Sequence, residues 1–235
     1  MTTTLITGAN KGLGFQAARQ LIQAGHTVYV GARDAHRGGE AAARLGTRAR
    51  FVQLDVTDDD SVKAAAEFVH ADTDRLDVLV NNAAIVAAGK RGRVGEVTGA
   101  DMMITYDTNV FGVVRVTHAF LPLLQASDAP VVVNVGSGLG SPAITTDPSR
   151  RESQSMLLDY SSSKTALVMI TAQYATAFPA IKFNTVDPGY TATDLNGHRG
   201  TQTVDEGAEI IVRMACIGAD GPTGGFFDKT GPVIW

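Results

Sequence analysis

The chain has 235 residues, of which 44% are hydrophobic and 19% charged, with a net charge of −4 and a pI near 5.7. This balance excludes a disordered chain, and without a Lys/Arg block it argues against nucleic acid or an anionic membrane surface as partner. One cysteine, Cys216, excludes an internal disulfide framework and a Cys-based zinc site, and the five histidines lack HExxH spacing.

Taken in chain order, short apolar runs rich in β-branched residues predict strands at 4–7, 27–30, 50–54, 77–80, 131–135, 182–186 and 225–227. Helices are predicted between them at 13–23, 39–45, 59–70, 109–125, 160–178 and 204–217. Runs such as Val78-Leu79-Val80 are apolar without alternation, as strands buried on both faces require. The rhythm predicts one domain over residues 1–235: a doubly wound, Rossmann-type α/β fold with about seven parallel strands and helices on both faces. Two polar stretches interrupt it. Residues 141–155 read as a surface insertion, and residues 189–203 as a loop over the substrate side. Met1-Thr2-Thr3-Thr4 leads into the first strand with no basic segment, and no apolar stretch approaches the roughly 20 residues of a bilayer span, so a cytoplasmic protein is expected.

Between the first strand and first helix lies Thr7-Gly8-Ala9-Asn10-Lys11-Gly12-Leu13-Gly14. Glycines there let the backbone approach a pyrophosphate, which the free N–H groups and positive dipole end of the helix attract. Lys11 lies inside the glycines and no Lys-Ser/Thr follows Gly14, so this is not a P-loop. The second strand ends in Arg33, where an acidic residue would select the ribose 2′-hydroxyl of NAD. The Arg33 guanidinium and the Lys11 ammonium instead favour the 2′-phosphate of NADP(H), with Asp34 as the counterweight. Asp55, followed by Val56, ends the third strand and reads either as a partner for the adenine amino group or as the cap of the next helix.

Tyr160 and Lys164 stand one turn apart on one face of a predicted helix. A free tyrosine has a pKa of about 10, and an ammonium together with the positive charge of an oxidised nicotinamide would lower it. Tyr160 could then pass a proton to a carbonyl oxygen or take one from an alcohol. Ser137, at the carboxyl end of a central strand, could hydrogen-bond the same oxygen.

These features resemble the single-domain branch of the short-chain dehydrogenase/reductase family, and the match runs in order through the chain. TGxxxGxG stands as Thr7–Gly14, NNAG as Asn81-Asn82-Ala83-Ala84 with alanine for the last glycine, the serine as Ser137, YxxxK as Tyr160–Lys164 and the later PG as Pro188-Gly189. The resemblance implies that Asn109 holds a water relaying protons to Lys164, and that Lys164 binds the nicotinamide ribose. It implies that Asn81 steadies the strand beside the adenosine, and that Asn82 and Ala83 flank the cofactor. It further implies that Thr191 and Thr193, after Pro188 and Gly189, contact the nicotinamide amide or the phosphates. GANKGLG and ARD resemble the NADPH-dependent carbonyl reductases of the family. The expected function is hydride transfer between NADP(H) and a carbonyl or alcohol carbon of a small molecule, without metal. The excess of residues between Ser137 and Tyr160, at 141–155, alters the rim and subunit packing and leaves a homo-oligomer open.

Rival readings have less support. Ser161–Lys164 fits SxxK and Lys229-Thr230-Gly231 supplies KTG, but no SDN lies between them. Ser137 has Val135 and Leu139 where the GxSxG of a nucleophile elbow needs glycines. The alternative from another class is a catalytically silent NADP-binding regulator of the same fold, expected to carry a damaged Ser/Tyr/Lys set. On the substrate side, Leu139, Tyr190 and Leu195 suggest a partly apolar pocket, residues 89–93 add basic side chains, and His198 reads as an exposed loop histidine.

Overall fold

The strands are β1 (Thr3–Thr7), β2 (Thr27–Ala32), β3 (Ala49–Gln53), β4 (Val78–Asn81), β5 (Val131–Val135), β6 (Lys182–Val186), β7 (Phe226–Asp228) and β8 (Gly231–Pro232). They form one sheet of order β3-β2-β1-β4-β5-β6-β7-β8, parallel except for the β7–β8 hairpin. The computed structural model describes residues 2–86 and 93–235. Its helices are α1 (Gly12–Gln23), α2 (Ala35–Leu45), α3 (Asp59–Asp72), α4 (Gly99–Tyr106), α5 (Gly112–Gln125), α6 (Pro142–Thr145), α7 (Leu158–Ala177) and α8 (Val204–Ala215).

Alternate residues of the central strands feed two cores. Ile6, Val30, Val80 and Val133 pack with α1, α2 and α8 on one face. Leu5, Tyr29, Leu79 and Val132 pack on the other with α3, α5 and the end of α7. Burial on both faces explains why these strands carry continuous apolar runs. The chain leaves β1 towards β2 and β3, then returns to β4 on the opposite side. The loops after β1 and β4 therefore diverge and open a crevice at the carboxyl edge of the sheet.

The expected elements are present, and α6 stands within the stretch expected to be a surface loop. An eighth strand of two residues closes the sheet, too short for any periodicity to reveal it. Helix α2 begins at Ala35, capped by the Asp34 side chain, because Gly38 inside it makes room for the ring of Phe51. Helix α4 was not expected, although Thr98 and Asp101 form a capping box at its start. A π-helical turn, Asp107–Phe111, joins it to α5, and the wider turn breaks the 3.6-residue register that marks a helix in sequence.

Phe183 on β6 is fully buried and stacks on Tyr174 of α7 at 5.2 Å between ring centroids. Phe183→Ala is expected to lower unfolding free energy by about 3–5 kcal/mol in denaturant titration. A loss below about 1 kcal/mol would show that this face does not anchor α7.

Candidate active site

The crevice is a cleft of about 990 Å³ that runs from the β1–α1 turn to the start of α7. At one end, Gly8 (φ 63°) and Gly12 (φ 57°) hold left-handed conformations that suit glycine. A Cβ on Gly14 would stand 2.5 Å from Asn82 Nδ2 and 2.7 Å from the Gly8 carbonyl oxygen. Asn82 draws the turn in: its Nδ2 donates to the carbonyls of Thr7 at 2.8 Å and Gly8 at 3.2 Å. In return Thr7 Oγ1 accepts the N–H groups of Asn82 and Ala83 at 3.0 and 2.9 Å. No side chain caps the N-terminus of α1, and its first turn holds no acidic residue, so the helix end suits an anion. Asn10, Lys11 and Leu13 line the same end of the cleft.

Arg33 also lines the cleft, and among the described residues no acidic side chain pairs with it. Asp34 is engaged elsewhere, accepting the Arg37 N–H at 2.9 Å as the cap of α2. Lys11 is bound to the 189–203 segment, its Nζ 2.7 Å from Asp194 Oδ2. Arg37, which sequence inspection did not single out, faces Lys11 and Asn10 around a neighbouring hollow. The cap of α3 is Asp58, not Asp55. Asp55 instead accepts from Thr57 N and Oγ1 at 3.0 and 2.7 Å and lines the cleft with Val56.

At the other end, Ser137 follows β5, while Tyr160 and Lys164 lie in the first two turns of α7. A Cβ on Gly140 would stand 2.8 Å from the Lys164 backbone carbon, so α7 seats closely on the turn after Ser137. Ser137 and Tyr160 line the same end of the cleft, where the Ser137 hydroxyl favours the ionised form of the phenol. Lys164 Nζ donates to the Val135 carbonyl at 2.7 Å and lies 5.6 Å from the Tyr160 ring centroid. Burial pushes the Tyr160 phenol up to about 12, against the pull of the Ser137 hydroxyl and with the charge of Asp187. Burial also brings the Lys164 ammonium down to about 8. Desolvation dominates among the protein's own groups, which by themselves keep Tyr160 protonated.

Asn109 is fully buried in the π-helical turn. Its Oδ1 accepts the Ile85 N–H at 2.9 Å, and its Nδ2 donates to Ile85 O and Ser163 Oγ at 2.9 and 3.1 Å. Its side-chain amide is thus engaged in joining β4's exit to α7. Asn81 points into the sheet's interior, donating to Thr117 and Asn134 at 3.2 and 2.9 Å.

The cleft wall opposite carries Pro188, Gly189, Thr191 and Thr193. Thr191 is buried, held by Gln202 at 2.8 Å, and Gly207 in α8 leaves room for its side chain. Thr193 caps the short helical turn Asp194–Asn196, and His198 is exposed and paired with Asp194 at 2.8 Å. Leu139, Tyr190 and Leu195 all line the cleft. Residues 89–92 lie outside the described residues, and Arg93 pairs with Glu96 at 2.9 Å. The 141–155 segment is not merely a surface loop. Ser141 is buried, its Oγ donating to the Ile234 carbonyl, and Arg151, Glu152 and Ser155 form part of the cleft rim. The Arg151 guanidinium lies 3.9 Å from the Tyr190 ring centroid. Asp187 also lines the cleft and was not foreseen, since no motif marks it.

Residues 2–203 match the short chain dehydrogenase family. The chain is 30% identical to a (+)-neomenthol dehydrogenase of Capsicum annuum, covering 95% of this chain and 94% of that one. It is 32% identical to a salutaridine reductase of Papaver bracteatum over 97% of this chain and 94% of that one. Among solved structures, the NADPH-bound carbonyl reductase from chicken fatty liver superposes with a TM-score of 0.88, at 27% identity, over 100% of this chain and 99% of the other. The chain therefore belongs to the short-chain dehydrogenase family, oxidoreductases of alcohol and carbonyl carbons that bind a nicotinamide cofactor. Gly14→Ala is expected to weaken binding of that cofactor by about tenfold or more, because its Cβ meets backbone. Fluorescence titration with NADPH and NADH measures this, and unchanged affinity would remove the glycine turn from the binding site.

Proposed function

We propose that the protein is an NADPH-dependent reductase of ketones or aldehydes, with Tyr160 as proton donor. The observation that carries this reading is the gathering of Ser137, Tyr160 and buried Lys164, one turn on from Tyr160, in the cleft that begins at the glycine turn. The cradle fits the cofactor: Gly8 and Gly14 let the turn pack tightly on Asn82 and Ala83, and the uncapped end of α1 suits its phosphates. Gly8, Asn10, Gly12, Leu13 and Gly14 would hold the pyrophosphate, Asp55 and Val56 the adenine, and Asn82 and Ala83 the adenosine side. Pro188, Gly189, Thr191 and Thr193 would flank the nicotinamide. Bound there, the reduced nicotinamide supplies hydride to the carbonyl carbon.

The chain's own residues handle the oxygen. Ser137 donates a hydrogen bond that polarises the carbonyl and orients it towards Tyr160. Tyr160 delivers the proton, and its raised pKa means that it still holds that proton through neutral pH. Lys164, anchored on Val135 O, sets the charge beneath the ring and would bind the nicotinamide ribose. Asn109 positions these groups by tying Ile85 to Ser163 on α7, which supports a structural part in the relay rather than direct contact with substrate. NADPH is favoured over NADH because Arg33 is available and Asp34 is turned to its helix cap. Arg37 adds a third cation near Lys11.

Tyr160→Phe is expected to reduce turnover by about 10²–10⁴-fold while cofactor affinity stays within a few-fold. Oxidation of NADPH and NADH is followed across aldehydes, ketones and quinones. Cofactor binding with no turnover of any carbonyl would instead support the silent regulator. For Arg33→Ala, the expected outcome is a loss of NADPH affinity about tenfold greater than that for NADH. Equal losses would remove the case for a 2′-phosphate site.

A further inference from the structure

Asp187 occupies the position between β6 and Pro188, and neither the motifs nor the chemistry above uses it. Its Oδ1 accepts the Gly189 N–H at 2.9 Å, and its Oδ2 lies against Gly138. One carboxylate thus joins the turn that follows Ser137 to the turn that follows Pro188. The approach is close. A Cβ on Gly138 would stand 2.9 Å from Asp187 Oδ2, so any other residue there would push the carboxylate away.

The charges around this point are mostly negative. Glu152 on the 3₁₀ turn comes to the same spot, with Oε1 3.7 Å from where that Cβ would stand. The charge of Asp228, at the end of β7, also bears on Asp187. Tyr160 feels the Asp187 charge directly. The nearby cations are engaged elsewhere. Arg150 pairs with Glu152 at 3.7 Å, Arg151 lies on the Tyr190 ring, and Lys164 Nζ is held by Val135 O. Asp159, next to Tyr160 on α7, is bonded to Thr105 at 2.5 Å. Among the described residues no basic side chain forms an ion pair with Asp187. Burial and the two neighbouring acids push its carboxyl above the usual range, so the whole group resists a further negative charge. A phenolate on Tyr160 would be that charge.

Resting on the reductase reading above, we propose that Asp187 is a positioning residue that biases the site towards reduction. It clamps the Ser137–Gly138 turn to the Gly189 turn and sets a negative charge beside Tyr160, so the proton stays on the Tyr160 oxygen until a carbonyl oxygen takes it. In the reductive direction the proton passes from Tyr160 Oη to the oxygen of the carbonyl being reduced, and solvent then restores it to the phenolate. The developing alkoxide is a far stronger base than a phenolate, so donation remains favourable despite the like charge. Alcohol oxidation must start from the phenolate, and that state is the one Asp187 penalises.

The test titrates tyrosinate absorbance in wild type and Asp187→Asn, each with its Tyr160→Phe counterpart subtracted to isolate the one ring. The expected result is that Asp187→Asn moves the Tyr160 titration down by about half a pH unit or more. The alkaline limb of alcohol oxidation should move with it, raising the oxidation-to-reduction ratio at fixed pH by about threefold. Glu152→Gln, which leaves the clamp in place, should move the same titration in the same direction by less. An unmoved titration in an active enzyme overturns the proposal and leaves the reductase reading standing. A shifted titration in a protein without carbonyl turnover overturns the reductase reading and supports the hold of Asp187 on Tyr160. If neither Asp187→Asn nor Asp187→Ser folds, as judged by thermal melting, Asp187 is a structural residue and the proposal falls.

Discussion

Asn82 holds together the two strands between which the sheet changes direction. Its side chain grips the carbonyls of Thr7 and Gly8, while Thr7 Oγ1 receives the N–H groups of Asn82 and Ala83. These bonds lie at the only kind of place where a parallel sheet opens a crevice without an added domain. The glycine turn is shaped against Asn82, which is why Gly14 has no room for a Cβ. The uncapped end of α1 is thereby aimed into the cleft rather than over solvent.

At the far end the governing effect is desolvation. Tyr160 and Lys164 are both buried, and burial drives each towards its neutral form, the phenol up and the ammonium down. The sequence reading joins the Lys164 ammonium to the charge of an oxidised nicotinamide in lowering the Tyr160 phenol; the protein's own groups by themselves act the other way. The Ser137 hydroxyl opposes this shift and the Asp187 charge reinforces it. Such a site suits proton donation, and it would rely on added positive charge to run in the other direction.

The segment after Ser137 joins these two ends to the rest of the chain. It seats α7 through Gly140, anchors Ser141 on the Ile234 carbonyl and brings Arg151 and Glu152 to the rim. Across the cleft, the 189–203 segment reaches back to Lys11 through Asp194. The cleft is therefore bordered by two polar segments whose composition alone reads as loop.

Much of the fold was legible because both of its signals are local. Continuous β-branched runs mark strands buried on two faces, and glycines before a helix mark a turn that backbone must approach closely. The order Gly-turn, Asn-Asn, Ser, Tyr, Lys likewise defined the family, since each residue type answers a separate geometric need. Helix α4 escaped because a π turn breaks the helical period, and β8 because two residues carry no period. Asp187, Glu152 and Arg37 escaped for a different reason. Each gains meaning only from residues distant in sequence: Gly138 for the two acids, Lys11 for the arginine. The sequence by itself determined the strand–helix rhythm, the topology class and the Ser, Tyr and Lys of the family pattern. Tertiary structure alone decided their charge states and partners, because desolvation and Coulomb terms depend on what packs around a group and not on its neighbours along the chain.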